Sequence, residues 1–349
     1  MSRGKNNMLH TAEPLSWEAL LEEYFFSHIL RPDTEWSYRK VTRGFIRFMG
    51  EAVSPAQITH RDVLRWRRHL LVEKKQSSHT WNNKVAHLRA IFNFGMAQKL
   101  LPHTENPFNH AVVKKEKKKK KILSQSQITR INLLMGKFAE EERTDVMPRG
   151  GRCALYPTWY WSTVLATLRF TGMRQNQLLH LRLRDINLES NYIELGLEGS
   201  KNHSEWEIPI IPQLKPWLAQ LVARAMAAGA EGHDPIFDLS RLSVPHPSRL
   251  SRYQYDINRE KQQLRSFFRR LSRECDFAVS PHRFRHTVAT TLMKAPDRNL
   301  PLVKRLLGHR NVATTMEYID LDMEVTGKTL ERELGLYTDR SDEPAGEKE

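Results

Sequence analysis

Apolar residues recur three to four positions apart through the first third of the chain, the spacing of amphipathic helices, as Leu88 and Ile91 illustrate. Thr59 with Asp62 three positions later, and Ser77 ahead of the last segment, have the pattern of helix N-caps. The alternation of polar and apolar residues that is typical of strands is nearly missing from this part of the chain, which indicates an all-α bundle. The spacing predicts four helices, over Leu15–Phe26, Glu35–Met49, Thr59–Val72 and Ser78–Lys99.

The rest of the chain combines further helical patterns with one short stretch of alternation. Polar and apolar residues alternate over Tyr192–Leu197 and Trp206–Ile210. Gly199, Ser200 and Asn202 between them favour a turn, so these segments predict a β-hairpin. Helical spacing predicts eight helices, over Gln125–Glu142, Trp159–Phe170, Gln175–Leu183, Pro212–Ala228, Asn258–Cys275, Pro281–Lys294, Leu300–Gly308 and Val312–Ile319.

A lysine run separates the two helical parts. The sequence KKEKKKKK of Lys114–Lys121 repels itself and cannot bury apolar surface, which predicts a linker. It is either a solvated loop or a tether that lies along phosphates, with Lys117, Lys118 and Lys119 as the candidate contacts. The Pro- and Ser-rich segment Gly229–Tyr255 predicts an exposed loop. We predict a flexible N-terminus (1–13), a helical domain (14–112), a basic linker (113–122), a second domain (123–337) and an acidic, disordered tail (338–349).

Charge and cysteine content narrow the class of protein. The 349 residues carry 55 Lys and Arg against 40 Asp and Glu, a formal charge of +15 that favours a polyanionic partner, nucleic acid ahead of an anionic membrane surface. The two cysteines, Cys153 and Cys275, exclude a disulfide framework and a cysteine-based zinc site. Since no apolar run approaches about 18 residues, we expect a cytoplasmic protein that does not enter a membrane.

The candidate functional residues of the second domain are basic. Motifs for nucleotide hydrolysis and for hydride transfer are not among its sequence patterns. Walker, GxGxxG and HExxH motifs are missing from the sequence. The sequence SPHRFRHT opens a predicted helix and places His282 and Arg285 on one face, where they could hold a phosphate and move a proton. A capped helix with exposed basic groups is the alternative. His282 and His286 could also bind zinc, but a third ligand is missing from the motif.

Four further residues are candidates for a catalytic role, but their local sequence does not decide between that role and an ordinary structural one. Arg174 follows a Thr-Gly turn and Lys201 lies in the hairpin turn, yet both could be ordinary surface charges. Gly308 ends a predicted helix, and His309 follows it. Tyr318 comes nine positions after His309 and could simply pack against its own domain.

The start of the last N-terminal helix is crowded with polar and basic side chains. This set is either a solvated helix face or a face that lies against a DNA groove. Its members are Thr80, Asn82, Asn83, Lys84, His87 and Arg89.

Taken together, the order and spacing of these residues resemble the tyrosine recombinase (phage integrase) family. The segments that carry the resemblance are TGMRQNQLLHLRLRDI, GSKNHSEWEIPI, SPHRFRHTVATTL and LLGHRNVATTMEYIDLD. Ser78–Gly95, which ends in NNKVAHLRAIFNFG, is similar to the family's core-binding domain. The resemblance implies a mainly α fold with a small antiparallel β-sheet. It further implies a two-domain, C-shaped DNA clamp built from a helical, SAM-like core-binding domain and a catalytic domain.

The resemblance also implies a mechanism and the residues that perform it. Tyr318 attacks the scissile phosphate to form a 3′-phosphotyrosine, and Lys201 protonates the leaving 5′ oxygen. Arg174 and Arg285 hold the phosphate without a metal or other cofactor. His282 assists deprotonation of the tyrosine, and His309 either donates a hydrogen bond to the phosphate or supports the pocket. The implied catalytic set is Arg174, Lys201, His282, Arg285, His309 and Tyr318.

One position departs from the family pattern. The family commonly carries a carboxylate three residues after its first arginine, where this chain has Gln177. We therefore expect Arg174 to be supported by a neutral hydrogen bond or by another acid.

The resemblance implies partners as well. They are double-stranded DNA with inverted core sites, a homotetramer at synapsis that forms a Holliday junction, and optional accessory DNA-bending proteins, as in a mobile element. Met323–Tyr337 is amphipathic, with Val325, Leu330 and Leu334 near one stripe; it packs on its own domain or is exchanged between neighbours. A type IB topoisomerase and a non-catalytic basic DNA-binding protein are the alternative functions.

Overall fold

A computed structural model describes residues 15–114, 121–144, 154–196, 206–243, 254–294, 300–308 and 311–316. These residues form two compact units, one on each side of position 118, and each unit is described by itself. None of the helices in the described ranges is long and apolar enough to span a bilayer.

The N-terminal unit is helical, as the spacing predicts. Thr59 and Asp62 cap the third helix reciprocally, and the Ser77 hydroxyl accepts the Thr80 amide at 3.2 Å, so both predicted N-caps are confirmed. A π-helical turn, His69–Glu73, takes the place of the last predicted turn of the third helix. The helices are α1 (Trp17–Ser27), α2 (Pro32–Met49), α3 (His60–Arg68) and α4 (Ser78–Ala97).

Aromatic side chains fill the core of this unit. Trp66 and Trp81 meet edge to face at 5.3 Å between ring centroids, and Phe92 and Phe108 pack beside them. The Trp81 indole N–H donates to the Ala111 carbonyl at 2.8 Å, which ties the segment after α4 back onto the helix. Buried tryptophans of this kind contribute a large apolar area and need such a partner for the indole N–H.

The second unit is also mostly helical and carries one small antiparallel sheet in the order β1-β2-β3. Ile193 faces Ile208 and Leu195 faces Trp206 across β2 and β3, so the predicted hairpin is confirmed. The strands are β1 (Ile186–Asn187), β2 (Tyr192–Leu195) and β3 (Trp206–Pro209). The helices are α5 (Gln125–Arg143), α6 (Thr158–Thr171), α7 (Gln175–His180), α8 (Lys215–Ala227), α9 (Leu239–Leu242), α10 (Ile257–Cys275), α11 (Pro281–Lys294), α12 (Leu300–Leu307) and α13 (Val312–Met316).

Two features of this unit differ from the sequence prediction because distant backbone groups pair. The helix predicted to reach Leu183 ends at His180. The Leu183 amide donates to the Asp234 carbonyl at 3.0 Å, and the Ile236 amide donates to the Leu181 carbonyl at 2.9 Å. Part of the predicted loop after position 229 is therefore paired backbone, and it continues into the short helix α9.

Helix α6 is the centre of the second unit and determines where its candidate site begins. It packs against α5, α8 and α11, and its Trp161 ring stacks on Phe267 of α10 at 4.2 Å. Its last residue is Thr171, so the Thr-Gly turn and Arg174 follow directly from the buried helix. The predicted fold class, mainly α with a small antiparallel sheet, is confirmed.

Candidate active site

The turn that carries Arg174 is pressed against the two helices that carry the other candidates. Gly172 ends α6 with φ +63°, a left-handed conformation that favours glycine. A Cβ at this position would lie 3.1 Å from the Leu307 side chain and 3.2 Å from that of Val288. The turn predicted from the Thr-Gly pair is therefore a tight contact between α6, α11 and α12.

Arg285 lies on α11 and is almost fully buried, with 5% of its surface exposed. One guanidinium nitrogen, Nη1, donates to the Gly172 carbonyl at 2.9 Å, and the other, Nη2, donates to the Leu307 carbonyl at 2.6 Å. These two bonds join the turn after α6 to the end of α12 through the Arg285 side chain.

The Arg174 guanidinium reaches the same end of α12. Its Nη1 donates to the Leu307 carbonyl at 3.4 Å and its Nη2 to the Gly308 carbonyl at 3.3 Å. Arg174 and Arg285 thus both donate to the Leu307 carbonyl oxygen, although they lie 111 positions apart in the chain. The predicted pairing of the two arginines in one site is what the geometry supports.

The backbone acceptors of this cluster are uncharged groups. The Leu307 and Gly308 carbonyl oxygens hold the two guanidinium groups in place by hydrogen bonds. Each guanidinium carries five N–H donors in a planar fork that matches the oxygens of a phosphate. The arrangement concentrates positive charge at one point of the domain, which suits a phosphate that gains negative charge in a reaction.

Gln177 supports Arg174 through the backbone. Its side chain is 2% exposed, and its Oε1 accepts the Arg174 backbone N–H at 2.8 Å. The expected neutral hydrogen bond at the usual carboxylate position is therefore present. The Gln177 Nε2 group is buried and has no hydrogen-bond partner among the described residues.

His282 lies at the start of α11, one turn before Arg285, and is exposed. Its ring lies 6.3 Å from that of His286, centroid to centroid. Within the described ranges no group of three or more His, Cys, Asp or Glu residues is placed to hold a metal ion. The geometry thus gives the zinc hypothesis for the His282 and His286 pair no third ligand from this part of the chain.

Lys201, His309 and Tyr318 lie outside the described residues, as do Lys117, Lys118 and Lys119 of the linker. Gly308, next to His309, is described. It follows α12 with φ +58°, as predicted for a helix-ending glycine, and it packs directly against the Trp206 ring of β3. Sequence reasoning missed Trp206, because this contact spans 102 positions and no local pattern signals it.

The candidate DNA-contacting residues of α4 divide into two groups. Thr80 and Asn83 are exposed, and the half-exposed His87 donates from Nδ1 to the Asn83 carbonyl at 2.5 Å. Arg89 is half-exposed too. Asn82 differs from these, since it is buried and its amide group donates to the Val113 carbonyl and accepts the Val113 N–H.

Asn82 therefore has a structural role in the N-terminal unit. The two hydrogen bonds, 2.8 and 2.9 Å long, hold the end of the segment that folds back on α4. Both polar ends of the amide are used, so the side chain does not belong to the exposed face with Thr80 and Asn83.

Helix α2 contributes a basic stripe that sequence reasoning missed. Lys40, Arg43 and Arg47 are exposed at helical spacing, and Trp36 precedes them one turn earlier. The Lys40 ammonium lies 4.8 Å from the Trp36 ring centroid. Spacing of basic residues by three and four positions is the signal that could have identified this stripe.

The stripe on α2 and the face of α4 are one cationic surface. The Lys84 ammonium lies 5.5 Å from the Trp66 ring centroid. Burial lowers the pKa of Lys84, and the positive charge of Lys40 lowers this pKa further. Helices α2 and α4 pack together, with 3.3 Å between Ser37 Oγ and His87 Nε2 and 4.2 Å between the ring centroids of Tyr38 and His87, and we call their joint surface the α2–α4 face.

Comparison with known proteins agrees with this geometry. Residues 155–325 match the model of the phage integrase family. A putative tyrosine recombinase XerC of Pseudomonas syringae is 34% identical over 313 residues, which cover 90% of this chain and 63% of that protein. Its counterpart from Pseudomonas aeruginosa is 34% identical over 308 residues, 88% of this chain and 69% of that protein. The chain thus spans somewhat under two thirds of the first relative's length.

Solved structures share the fold. The Tn1549 transposon integrase in complex with a circular intermediate DNA superposes with a TM-score of 0.66 at 16% identity, over 90% of this chain and 98% of that one. A lambda integrase dimer bound to a COC′ core site gives a TM-score of 0.60 at 17% identity, over 88% of this chain and 77% of that one. Because a relative at 34% identity matches over 88% of this chain and 69% of its own length, the chain belongs to the phage integrase family of tyrosine recombinases.

Proposed function

We propose that this protein is a site-specific DNA recombinase that cuts and rejoins strands by metal-independent transesterification, through a 3′-phosphotyrosine and a Holliday junction. The observation that carries the proposal is the convergence of Arg174 and Arg285 on the Leu307 carbonyl. Two fixed guanidinium groups at one point supply the charge that a pentavalent phosphate needs, which is the role that divalent metals fill in other phosphoryl-transfer sites.

The reaction exchanges one phosphoester for another. The Tyr318 oxygen forms a bond to the scissile phosphorus as the bond from phosphorus to the 5′ oxygen breaks. Lys201 gives its proton to the leaving 5′ oxygen, and His282 takes the phenolic proton. Arg174 and Arg285 hold the non-bridging oxygens, and His309 donates to one of them. Because one ester replaces another, the energy of the broken bond is kept for rejoining and no nucleotide is consumed.

The test is a covalent adduct on a defined DNA. The wild-type protein first selects a duplex from a random-sequence pool, and the cleaved phosphate is mapped on that duplex. A nick beside this phosphate lets the short released strand diffuse away, so the adduct accumulates and survives denaturation. Relaxation of any supercoiled plasmid without the selected sequence would instead indicate a type IB topoisomerase. Binding without cleavage would indicate a non-catalytic DNA-binding protein.

The α2–α4 face is the surface that we propose for the core-binding contact with DNA. Its charges come from Lys40, Arg43, Arg47 and Lys84, and Thr80 and Asn83 stand beside them as hydrogen-bonding groups. Cations at helical spacing neutralise phosphates, and short polar side chains can reach base edges in a groove. The integrases that share the fold were solved in complex with DNA, which supports the same class of partner here.

Lys84 makes this contact sensitive to pH. Its pKa is lowered by burial and by Lys40, so in the free protein it loses its proton below the ordinary lysine pKa of about 10.4. A bound phosphate favours the charged form, so wild-type affinity falls as the pH rises through the lowered pKa of Lys84. We expect Lys84→Arg to bind like the wild type at neutral pH and to keep its affinity at high pH, since arginine stays protonated. Fluorescence anisotropy across the pH range measures both curves.

The matched control is Lys99→Arg, at an exposed lysine just past the end of α4. Its affinity should follow the wild-type pH curve. Identical pH curves for the wild type and for Lys84→Arg would show that Lys84 does not contact phosphate.

We also propose that four copies of the protein assemble as a tetramer on two DNA sites. The segment Met323–Tyr337 lies outside the described residues, but Leu302, Val312 and Met316 just before it are exposed apolar side chains. Such a surface can be covered by an amphipathic helix from the same or from a neighbouring chain. We propose exchange between neighbours, as the family resemblance implies.

Removal of all residues after Asp322 tests this exchange. We expect the truncated protein to bind one site with wild-type affinity and to lose the assembly that joins two duplexes, because the exchanged helix links the protomers. Analytical ultracentrifugation of the protein with the selected duplex distinguishes protein bound to one duplex from the assembly that joins two duplexes. Unchanged joining of two duplexes by the truncated protein would show that the segment packs within its own chain.

A further inference from the structure

Trp206 lies between two parts of the proposed site. It is the first residue of β3 and faces Leu195, the last described pair of the hairpin before the connection that contains Lys201. Lys201 precedes Trp206 by five positions. Among the described residues the sheet order is β1-β2-β3, so within this part of the chain β3 pairs with β2 on one side only.

The Trp206 ring is in close contact with the backbone at the end of α12. A Cβ added to Gly308 would lie 2.5 Å from Cη2 and Cζ2 of the indole, closer than real Cβ atoms approach a ring. Glycine is therefore required at position 308 by the indole as well as by its φ of +58°. The ring rests on the backbone of Gly308 itself.

This backbone is also the part of α12 that holds the guanidinium groups. The Gly308 carbonyl accepts from Arg174, and the preceding Leu307 carbonyl accepts from both Arg174 and Arg285. Trp206 thus touches the residue that fixes the arginine pair, and it lies at the base of the hairpin that carries Lys201. His309 follows Gly308 directly in the chain.

Packing, not hydrogen bonding, holds the indole in place. Its N–H group is buried and has no hydrogen-bond partner among the described residues. A buried donor without a partner costs free energy, so the ring stays on Gly308 despite its N–H group. A phenyl ring would remove that cost, but it lacks Cη2 and Cζ2, the indole atoms that lie closest to Gly308.

We infer that Trp206 is a positioning residue, which holds the base of the Lys201 hairpin at a fixed distance from the two guanidinium groups. The inference rests on the proposed function, in which Lys201 protonates the leaving oxygen. A general acid acts only within hydrogen-bond reach of its target, and a displacement of about 1 Å can cost on the order of 100-fold in rate. Strand pairing with β2 fixes the hairpin on one side, and the contact with Gly308 fixes it against α12.

A change of leaving group separates this role from a general loss of structure. In normal DNA, Tyr318 attack expels the 5′ oxygen, which must take the proton of Lys201 as its bond to phosphorus breaks. If sulfur replaces that bridging oxygen, the strand leaves as a thiolate. Thiols have a pKa of about 8.5, so this leaving group needs no proton from an acid. Cleavage of the sulfur substrate therefore does not depend on the position of Lys201.

The experiment compares Trp206→Leu, Trp206→Phe and the wild type on nicked duplexes with a bridging oxygen or a bridging sulfur. We expect Trp206→Leu to slow adduct formation on the oxygen substrate about 100-fold at saturating DNA. On the sulfur substrate it should react close to the wild-type rate. Trp206→Phe should likewise be slow on oxygen and close to the wild-type rate on sulfur, because a phenyl ring lacks the Cη2 and Cζ2 atoms that contact Gly308.

Trp217→Leu is the matched control, since Trp217 is an exposed tryptophan on α8 of the same unit. It should react like the wild type on both substrates. Thermal melting of each variant shows whether it is folded at the assay temperature.

Two outcomes would overturn the inference. If Trp206→Leu slows both substrates equally, or slows neither, the residue does not act through the general acid. If Trp206→Leu does not fold, the rates of Trp206→Phe test the inference instead. An equal loss of rate on the oxygen and the sulfur substrate in this variant would contradict a positioning role for Trp206. If the wild-type protein forms no adduct on either substrate, the proposed function itself is contradicted, and the inference about Trp206 fails with it.

Discussion

Replacement of Tyr318 by phenylalanine should abolish the covalent protein–DNA adduct and leave DNA binding at the wild-type level. The phenyl ring keeps the shape of the side chain but has no oxygen to bond to phosphorus, so the first step of the exchange cannot occur. Loss of a covalent nucleophile in serine proteases costs on the order of 10⁶ in rate, and we expect a loss of at least about 10⁴ here. The nicked duplex described above, resolved on a denaturing gel, measures the adduct.

Tyr192→Phe is the control for this variant. Tyr192 lies on β2 of the same unit and is half-exposed, and its hydroxyl oxygen accepts a 3.4 Å hydrogen bond from the Asn187 side chain. Its adduct yield should equal that of the wild type. A denaturation-resistant adduct with Tyr318→Phe would assign the nucleophile to another residue, and mass spectrometry of the DNA-linked peptide would identify it.

The helices could be predicted from the sequence because their apolar spacing and their caps are local properties. Thr59 with Asp62, and Ser77 before α4, place helix starts where the structure has them. Strand β1 was missed because two residues are too few to show alternation. The end of α7 was missed because the Leu183 amide pairs with Asp234, a tertiary contact that overrides the local pattern.

Within the site, the identities of Arg174 and Arg285 followed from the family resemblance, but their arrangement did not. Their common acceptor, the Leu307 carbonyl, is a backbone atom, and side-chain patterns contain no information about it. The contact between Trp206 and Gly308 escaped prediction for the same reason.

Asn82, one of the predicted DNA-contacting residues of α4, is buried, and the helical period explains why. Asn82 lies three positions before Val85, and both are buried on the side of the helix that faces the core. Thr80 and Asn83 point to the opposite, exposed side. A polar cluster alone therefore did not separate the two faces of α4, whereas the 3.6-residue period does.

The two arginines should differ in how their loss affects the protein. Arg174→Ala and Arg285→Ala should each slow adduct formation about 10²- to 10³-fold, the cost of removing one oxyanion donor, about 2.7 to 4 kcal/mol. Arg285 is buried and makes hydrogen bonds of 2.6 and 2.9 Å to two backbone carbonyls, so its loss also leaves the Gly172 and Leu307 carbonyls short of a donor. The cost to the free energy of unfolding should be about 1 to 3 kcal/mol.

Arg174 makes longer hydrogen bonds, 3.3 and 3.4 Å, and is more exposed, so Arg174→Ala should slow the reaction with a smaller loss of stability. Urea denaturation and the adduct assay, applied to both variants, separate the two effects. Arg143→Ala is the control, because Arg143 is an exposed arginine that pairs with Glu140 on α5.

The variant Arg285→Lys shows whether a positive charge at position 285 is sufficient for the wild-type rate of adduct formation. Lysine retains the positive charge but lacks the planar fork that joins two acceptors at once, so we expect most of the rate to remain lost. Because Arg174 and Arg285 share one carbonyl acceptor and one phosphate, the double alanine variant should lose less than the sum of the single losses in free energy. Wild-type rates in both single alanine variants, or strict additivity in the double variant, would show that the guanidinium pair does not act on a common phosphate.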